Sequence, residues 1–132
     1  MPDKLVRKLS DQLGQIAMGR DPLYQQPSFR QTMGAFYGML QDDATAKRLR
    51  ESRIETLLLE FTMFAQAQLR KRLPTEADVQ AELDVETDLF VRVVHDVLRT
   101  IPGVSRDLTD YVSRYMACLL YTSPSPRDRT RS

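Results

Sequence analysis

Four basic residues near the middle of the chain are the first candidates for binding chemistry. Their cationic side chains could hold phosphate groups or a nucleic-acid backbone: Lys47, Arg48, Arg50 and Arg53. Glu51 and Glu55 alternate with them, and no aromatic residue accompanies them as a platform on which bases could stack. A charged, solvent-facing helix start is therefore the simpler interpretation, and partner binding through these four residues is the alternative.

The other reactive side chains lack the partners that their chemistry requires. His95 is the single histidine, and no nucleophile or metal-ligand motif accompanies it. Cys118 lies among apolar residues, whereas a reactive thiol needs an electropositive setting. Four carboxylates form an acidic strip, Glu82, Asp84, Glu86 and Asp88. This strip has neither the glycine nor the spacing of a calcium loop. We predict no catalytic, metal or cofactor site, and interpret the strip as a solvated linker or a surface for a basic partner.

The composition is that of an ordinary globular domain. The 132 residues are 42% apolar and 28% charged, and the net charge of +1 argues against a generally basic nucleic-acid binder. No apolar run approaches the ~18 residues of a membrane span, and no signal-peptide pattern follows Met1. A single cysteine cannot form an internal disulfide, which favours a reducing compartment. We predict a cytoplasmic protein, with the nucleus as the alternative.

One long helix, residues 44–73, is predicted to organise the domain. Asp42 and Asp43 suit its N-terminus, and Thr75 suits the N-cap of the helix that follows. Asp43 to Leu73 contains neither glycine nor proline. Apolar residues recur on one helical face, at Ile54, Leu57, Leu58, Phe61, Phe64, Ala65 and Leu69. Leu59 and Met63 lie on the opposite side, so neighbouring helices are expected to cover this helix on more than one side.

Further amphipathic helices are expected on both sides of it. The first covers residues 3–18, with the stripe Leu5, Leu9, Leu13 and Ile16, and ends at Gly19. The second begins at Ser28, which forms a capping box with Gln31. After Thr75, one helix spans residues 76–100 or a short helix precedes a longer one from about residue 85, and the acidic strip favours the break. Ser105 is expected to cap the last helix.

The character of the chain changes at Tyr121. Residues 121–132 have no large aliphatic side chain, two prolines and three arginines, which is typical of disorder. The string from Cys118 to Ser132 resembles the translation of a sequencing adapter rather than evolved protein. The alternative interpretation is a genuine tail rich in serine, proline and arginine.

These patterns predict an all-α domain in residues 1–120, followed by a disordered tail that is not native sequence. We expect an antiparallel bundle of five or six helices, or the truncated start of an α-solenoid. The expected function is a non-catalytic protein–protein interaction or scaffold module, a fragment of a longer protein, without a cofactor and without membrane contact. The alternative is a nucleic-acid-associated helical domain that uses the basic helix start 47–53.

Overall fold

A computed structural model of the chain describes residues 1–104 and 106–122, with side chains up to residue 115. This part of the chain is all-α, as predicted, and forms six helices. They are α1 (Asp3–Ala17), α2 (Pro27–Leu40), α3 (Asp43–Arg50), α4 (Ile54–Arg72), α5 (Glu76–Arg99) and α6 (Arg106–Thr122).

The six helices form a bundle. The closest packing joins α1 to α2, α4 to α5 and α5 to α6, and α1 also contacts α3 and α5. Helices that are distant in the sequence therefore share one core. In a solenoid each repeat contacts only its sequence neighbours, so these contacts fit a bundle rather than stacked repeats.

Aromatic rings from three helices meet at the centre of the bundle. Phe61 of α4 stacks on Phe90 of α5, with ring centroids 3.8 Å apart and planes inclined by 3°. Phe36 of α2 meets both rings edge-on, at 5.4 Å from Phe61 and 5.6 Å from Phe90. All three side chains are fully buried. This cluster ties α2, α4 and α5 together, so α4 is central to the core, as predicted.

The prediction of one long helix over residues 44–73 is wrong, because the chain breaks between α3 and α4. Arg53 is extended, with φ −87° and ψ 162°, and the Ser52 hydroxyl donates to the Leu49 carbonyl at 2.8 Å. In a continuous helix Leu49 and Ile54 would point roughly 140° apart, at about 100° per residue. The break allows both side chains to enter the core, where Leu49 is 0% exposed and Ile54 is 5% exposed.

The break favoured near residue 85 is also wrong, because α5 runs without interruption from Glu76 to Arg99. Two polar residues of the acidic segment, Glu86 and Thr87, lie on the buried stripe between Leu83 and Phe90. The period of the stripe is thus kept by polar side chains, which a pattern of apolar residues alone does not detect.

Most of the predicted helix ends are correct. Gly19 has a φ of 72°, and the amides of Gly19 and Arg20 close the end of α1. Asp42 accepts from the Thr45 amide at 3.0 Å, and Thr75 accepts from the Asp78 amide at 3.1 Å.

The capping box at Ser28 is wrong. Helix α2 begins one residue earlier, at Pro27, where the missing N–H costs nothing. The side chain of Ser28 bonds to α5 instead. The predicted cap at Ser105 lies outside the described residues.

The predicted start of the tail needs a correction as well. Helix α6 extends to Thr122, so residues 121 and 122 are helical rather than part of a tail. The expectations for residues 123–132 and for the side chain of Cys118 lie outside the described part of the chain.

Candidate functional site

The four basic residues at the start of the predicted long helix do not form one site. Arg48 faces α4, where its guanidinium forms two hydrogen bonds with the carboxylate of Glu60, one of them 3.1 Å long. Arg50 lines a groove between α1, α2 and α3, and Arg53 lines another groove beside the start of α6. Lys47 is exposed on α3. The break after α3 directs these charges to different faces.

Carboxylates neutralise two of these cations. Glu60 holds Arg48, and its hydrogen bonds and charge raise the pKa of that guanidinium further. Arg53 lies 3.5 Å from Glu55. A phosphate would have to compete with these carboxylates, so the arrangement gives little support to nucleic-acid binding through residues 47–53. Partner binding through these four residues stays a prediction.

An exposed apolar pair lies on α4 next to Glu60. Leu59 is 60% exposed and Met63, one helical turn later, is 61% exposed. We call these two side chains the Leu59–Met63 face. The expectation that neighbouring helices cover this side of α4 is wrong for the described residues, because both side chains remain about 60% exposed. The face is bordered by the Arg48–Glu60 ion pair.

A polar network that the sequence did not predict lies inside the bundle. Ser28 of α2 donates to Glu86 of α5 at 2.7 Å, and Glu86 is 0% exposed. From α4, Arg72 donates to the Thr32 hydroxyl at 2.6 Å and to the Ser28 carbonyl at 3.3 Å. Buried polar groups need such partners, because an unpaired one costs about 1–3 kcal/mol. The network thus connects α2, α4 and α5 beside the aromatic cluster.

The polar network changes the pKa of Glu82, which lies one turn before Glu86. Burial first, and then the negative charge of Glu86, raise the pKa of Glu82 above its ordinary value, while the charge of Arg72 acts in the opposite direction. A proton on Glu82 would give the carboxylate of Glu86 a further hydrogen-bond donor. The acidic strip is therefore only partly solvated. The sequence signal for this is the position of Glu86 on the same helical face as the apolar residues Leu83 and Phe90.

A cleft of about 330 Å³ opens between α1, the loop after it and α5. We call it the Tyr24 cleft, after the buried tyrosine in its lining. Its charged lining residues are Lys8, Asp11, Asp21 and Asp96, and its apolar ones are Leu23, Tyr24, Val93 and Val97. The Tyr24 hydroxyl donates to Asp96 Oδ2 at 3.4 Å. Sequence patterns could not find this cleft, because its residues come from three separate segments.

The electrostatics of the cleft are dominated by negative charge. Burial, followed by the charges of Asp96 and Asp21, raises the pKa of Tyr24 to about 12. Lys8, the cation in the lining, donates to the carbonyl oxygen of Thr100 at 3.3 Å. The tyrosine therefore keeps its proton at neutral pH, and a cation entering the cleft would meet a favourable potential.

His95 lies beside the cleft, and the described residues around it form no catalytic arrangement. Its side chain is 20% exposed, and Nδ1 lies 3.8 Å from Oδ1 of Asp96. Leu23 and Arg92 line the same small groove as His95. Among residues 1–104 and 106–115, no three histidine, cysteine or carboxylate side chains come together as a metal site would require. Across the described helices, none has the length and apolarity needed to cross a membrane.

Comparison with known proteins identifies one relative and no family. An uncharacterized protein of Schizosaccharomyces pombe is 36% identical over 78 residues, which are 58% of this chain and 6% of that protein. The chain thus spans a small fraction of the relative's length. No family model matches the chain, and no solved structure matches it.

Proposed function

We propose that this chain is a non-catalytic helical interaction module, one part of a longer protein, that binds another protein. The observation that carries the proposal is the Leu59–Met63 face. Single exposed apolar residues are common on protein surfaces. Here, however, two large ones adjoin on one helix, where burial by a partner would remove about 25 cal/mol of unfavourable free energy per Å².

The chemistry of this face suits a protein partner. Methionine has a flexible, polarisable side chain that adapts to different apolar surfaces. The Arg48–Glu60 pair beside it supplies a polar border, and interfaces commonly combine an apolar centre with a polar rim. We place the module in the cytoplasm, with the nucleus as the alternative, because its single cysteine suits a reducing compartment.

The small fraction of the relative that the chain covers supports a module within a larger protein. Nucleic-acid association is the weaker candidate, since Arg48 and Arg53 are held by carboxylates. It would require an affinity that falls steeply with salt concentration.

Photo-crosslinking in cells that produce the protein tests the proposal. A photoreactive amino acid replaces Ala67, which is exposed one turn beyond Met63, and in a control it replaces Gln80, exposed on α5. We expect a discrete protein adduct from position 67 and none from position 80. The double variant Leu59→Ser and Met63→Ser should reduce the adduct at position 67 by about ten-fold, equivalent to roughly 1.4 kcal/mol.

The variant must keep its fold for this comparison to be valid. Both side chains are about 60% exposed, so the double variant should melt within a few degrees of the parent. An adduct at position 67 that persists unchanged in the folded double variant, or the absence of any adduct, would refute the proposal.

A further inference from the structure

The Tyr24 cleft offers a second surface, separate from the Leu59–Met63 face. Three carboxylates line it and one cation, Lys8, opposes them. The neighbouring cation Arg92 opposes this negative charge at Tyr24, but more weakly than Asp96 and Asp21, and it lies 3.2 Å from Asp88. The side chain of Asp96 is 56% exposed and so remains accessible to a ligand. The cleft therefore carries a net negative charge that a partner can reach.

The cleft also has apolar walls and an apolar lip. Tyr24 is 7% exposed, Val93 is 1% exposed and Val97 is 6% exposed, so their buried side chains form the floor of the cleft. Leu23 is 76% exposed at the edge. Apolar walls of low polarisability strengthen the attraction between the carboxylates and an entering cation. A ligand that covered Leu23 would gain hydrophobic free energy in addition.

From this combination we infer that the Tyr24 cleft binds a basic segment of a protein partner. A lysine or arginine side chain of that segment enters the cleft, and an adjacent apolar side chain covers Leu23. The volume of about 330 Å³ suits one long side chain rather than a folded domain. This inference rests on the proposed interaction function but uses a different surface, so a different experiment tests it.

A titration followed by amide NMR spectra of the isotope-labelled chain tests the inference. The probe is a hexapeptide of alternating arginine and leucine, and the matched control is a hexapeptide of alternating glutamate and leucine. At low salt, where charges are least screened, we expect the arginine peptide to shift the amides of Asp21, Tyr24 and Asp96 in a saturable manner. The glutamate peptide should leave them unchanged.

Variants assign the binding to the cleft. The double variant Asp11→Asn and Asp96→Asn should weaken the arginine peptide by at least about ten-fold, equivalent to roughly 1.4 kcal/mol. The charge-matched variant Glu51→Gln and Asp110→Asn changes exposed carboxylates elsewhere. It should keep the affinity within about two-fold, since distant exposed charges contribute little. Leu23→Ser, at a site too exposed to affect folding, should weaken the peptide several-fold.

Three results would overturn the inference. The first is a set of shifts centred away from the cleft, on Leu59 and Met63 for example. The second is an affinity that is the same in both charge variants. The third is spermidine producing the same shifts at the same concentration as the peptide, which would make the cleft a site for small cations. None of these results bears on crosslinking from position 67, so the proposed function is tested separately.

Discussion

Replacing Phe61 by alanine should destabilise the domain more than any other truncation on α4. The side chain is fully buried, and such changes usually cost about 3–5 kcal/mol through lost burial and the cavity that remains. Phe61 also loses its stacking on Phe90 and its edge contact with Phe36, and each aromatic pair contributes about 0.5–1.5 kcal/mol. We therefore expect a loss of about 4–5 kcal/mol, in the upper part of that range.

Urea denaturation followed by circular dichroism at constant temperature measures this loss. A domain of this size has about 5–15 kcal/mol of stability in total, so the alanine variant could be largely unfolded. Phe61→Leu provides a second measurement, with an expected loss of about 1–2 kcal/mol because leucine fills much of the cavity. Leu59→Ala is the control on the same helix, and should cost less than about 0.5 kcal/mol.

If Phe61→Ala costs less than about 1 kcal/mol, or no more than Leu59→Ala, then Phe61 does not lie in the core. The meeting of α2, α4 and α5 at the aromatic cluster would then be incorrect.

Three further predictions follow from charged and titratable groups. Because the pKa of Glu82 is raised in the folded state, the folded chain binds that proton more tightly than the unfolded chain. The free energy of unfolding should therefore gain a contribution as pH falls from 7 towards the ordinary glutamate value of 4.5, and Glu82→Gln should remove this gain in parallel urea melts. Arg50→Ala should change the free energy of unfolding by less than about 0.5 kcal/mol, because the Arg50 side chain is exposed. A loss well above 1 kcal/mol would show that Arg50 forms a stabilising ion pair. Tyr24 should ionise near pH 12, measured as the part of the ultraviolet absorbance titration of the five tyrosines that Tyr24→Phe removes, and Asp96→Asn should lower that pKa. A Tyr24 contribution that titrates near 10 in the folded chain would contradict its burial.

The core stripes could be predicted from the sequence with good accuracy. Leu5, Leu9, Leu13 and Ile16 are all fully buried on α1, as their spacing indicates. Spacing of three and four residues reports one helical face, and a bundle must bury that face. The caps at Asp42 and Thr75 were equally predictable, because they depend on residues close in the sequence.

Features that depend on packing between distant segments could not be predicted in this way. The break between Leu49 and Ile54 has no glycine or proline to mark it, and only the position of the shared core requires it. The exposure of Leu59 and Met63 depends on which sides of α4 are covered by other helices. The Tyr24 cleft is assembled from three segments, so no local pattern indicates it.

The Ser28–Glu86 hydrogen bond has a consequence for how this sequence can change during evolution. An apolar residue at position 86 would leave the Ser28 hydroxyl without its acceptor, whereas an apolar residue at position 28 would leave the buried Glu86 carboxylate without that hydroxyl donor. Single replacements are therefore costly, while a simultaneous change to apolar residues of similar volume can be neutral or stabilising. Positions 28 and 86 should accordingly co-vary among homologues, although 58 residues separate them in the sequence.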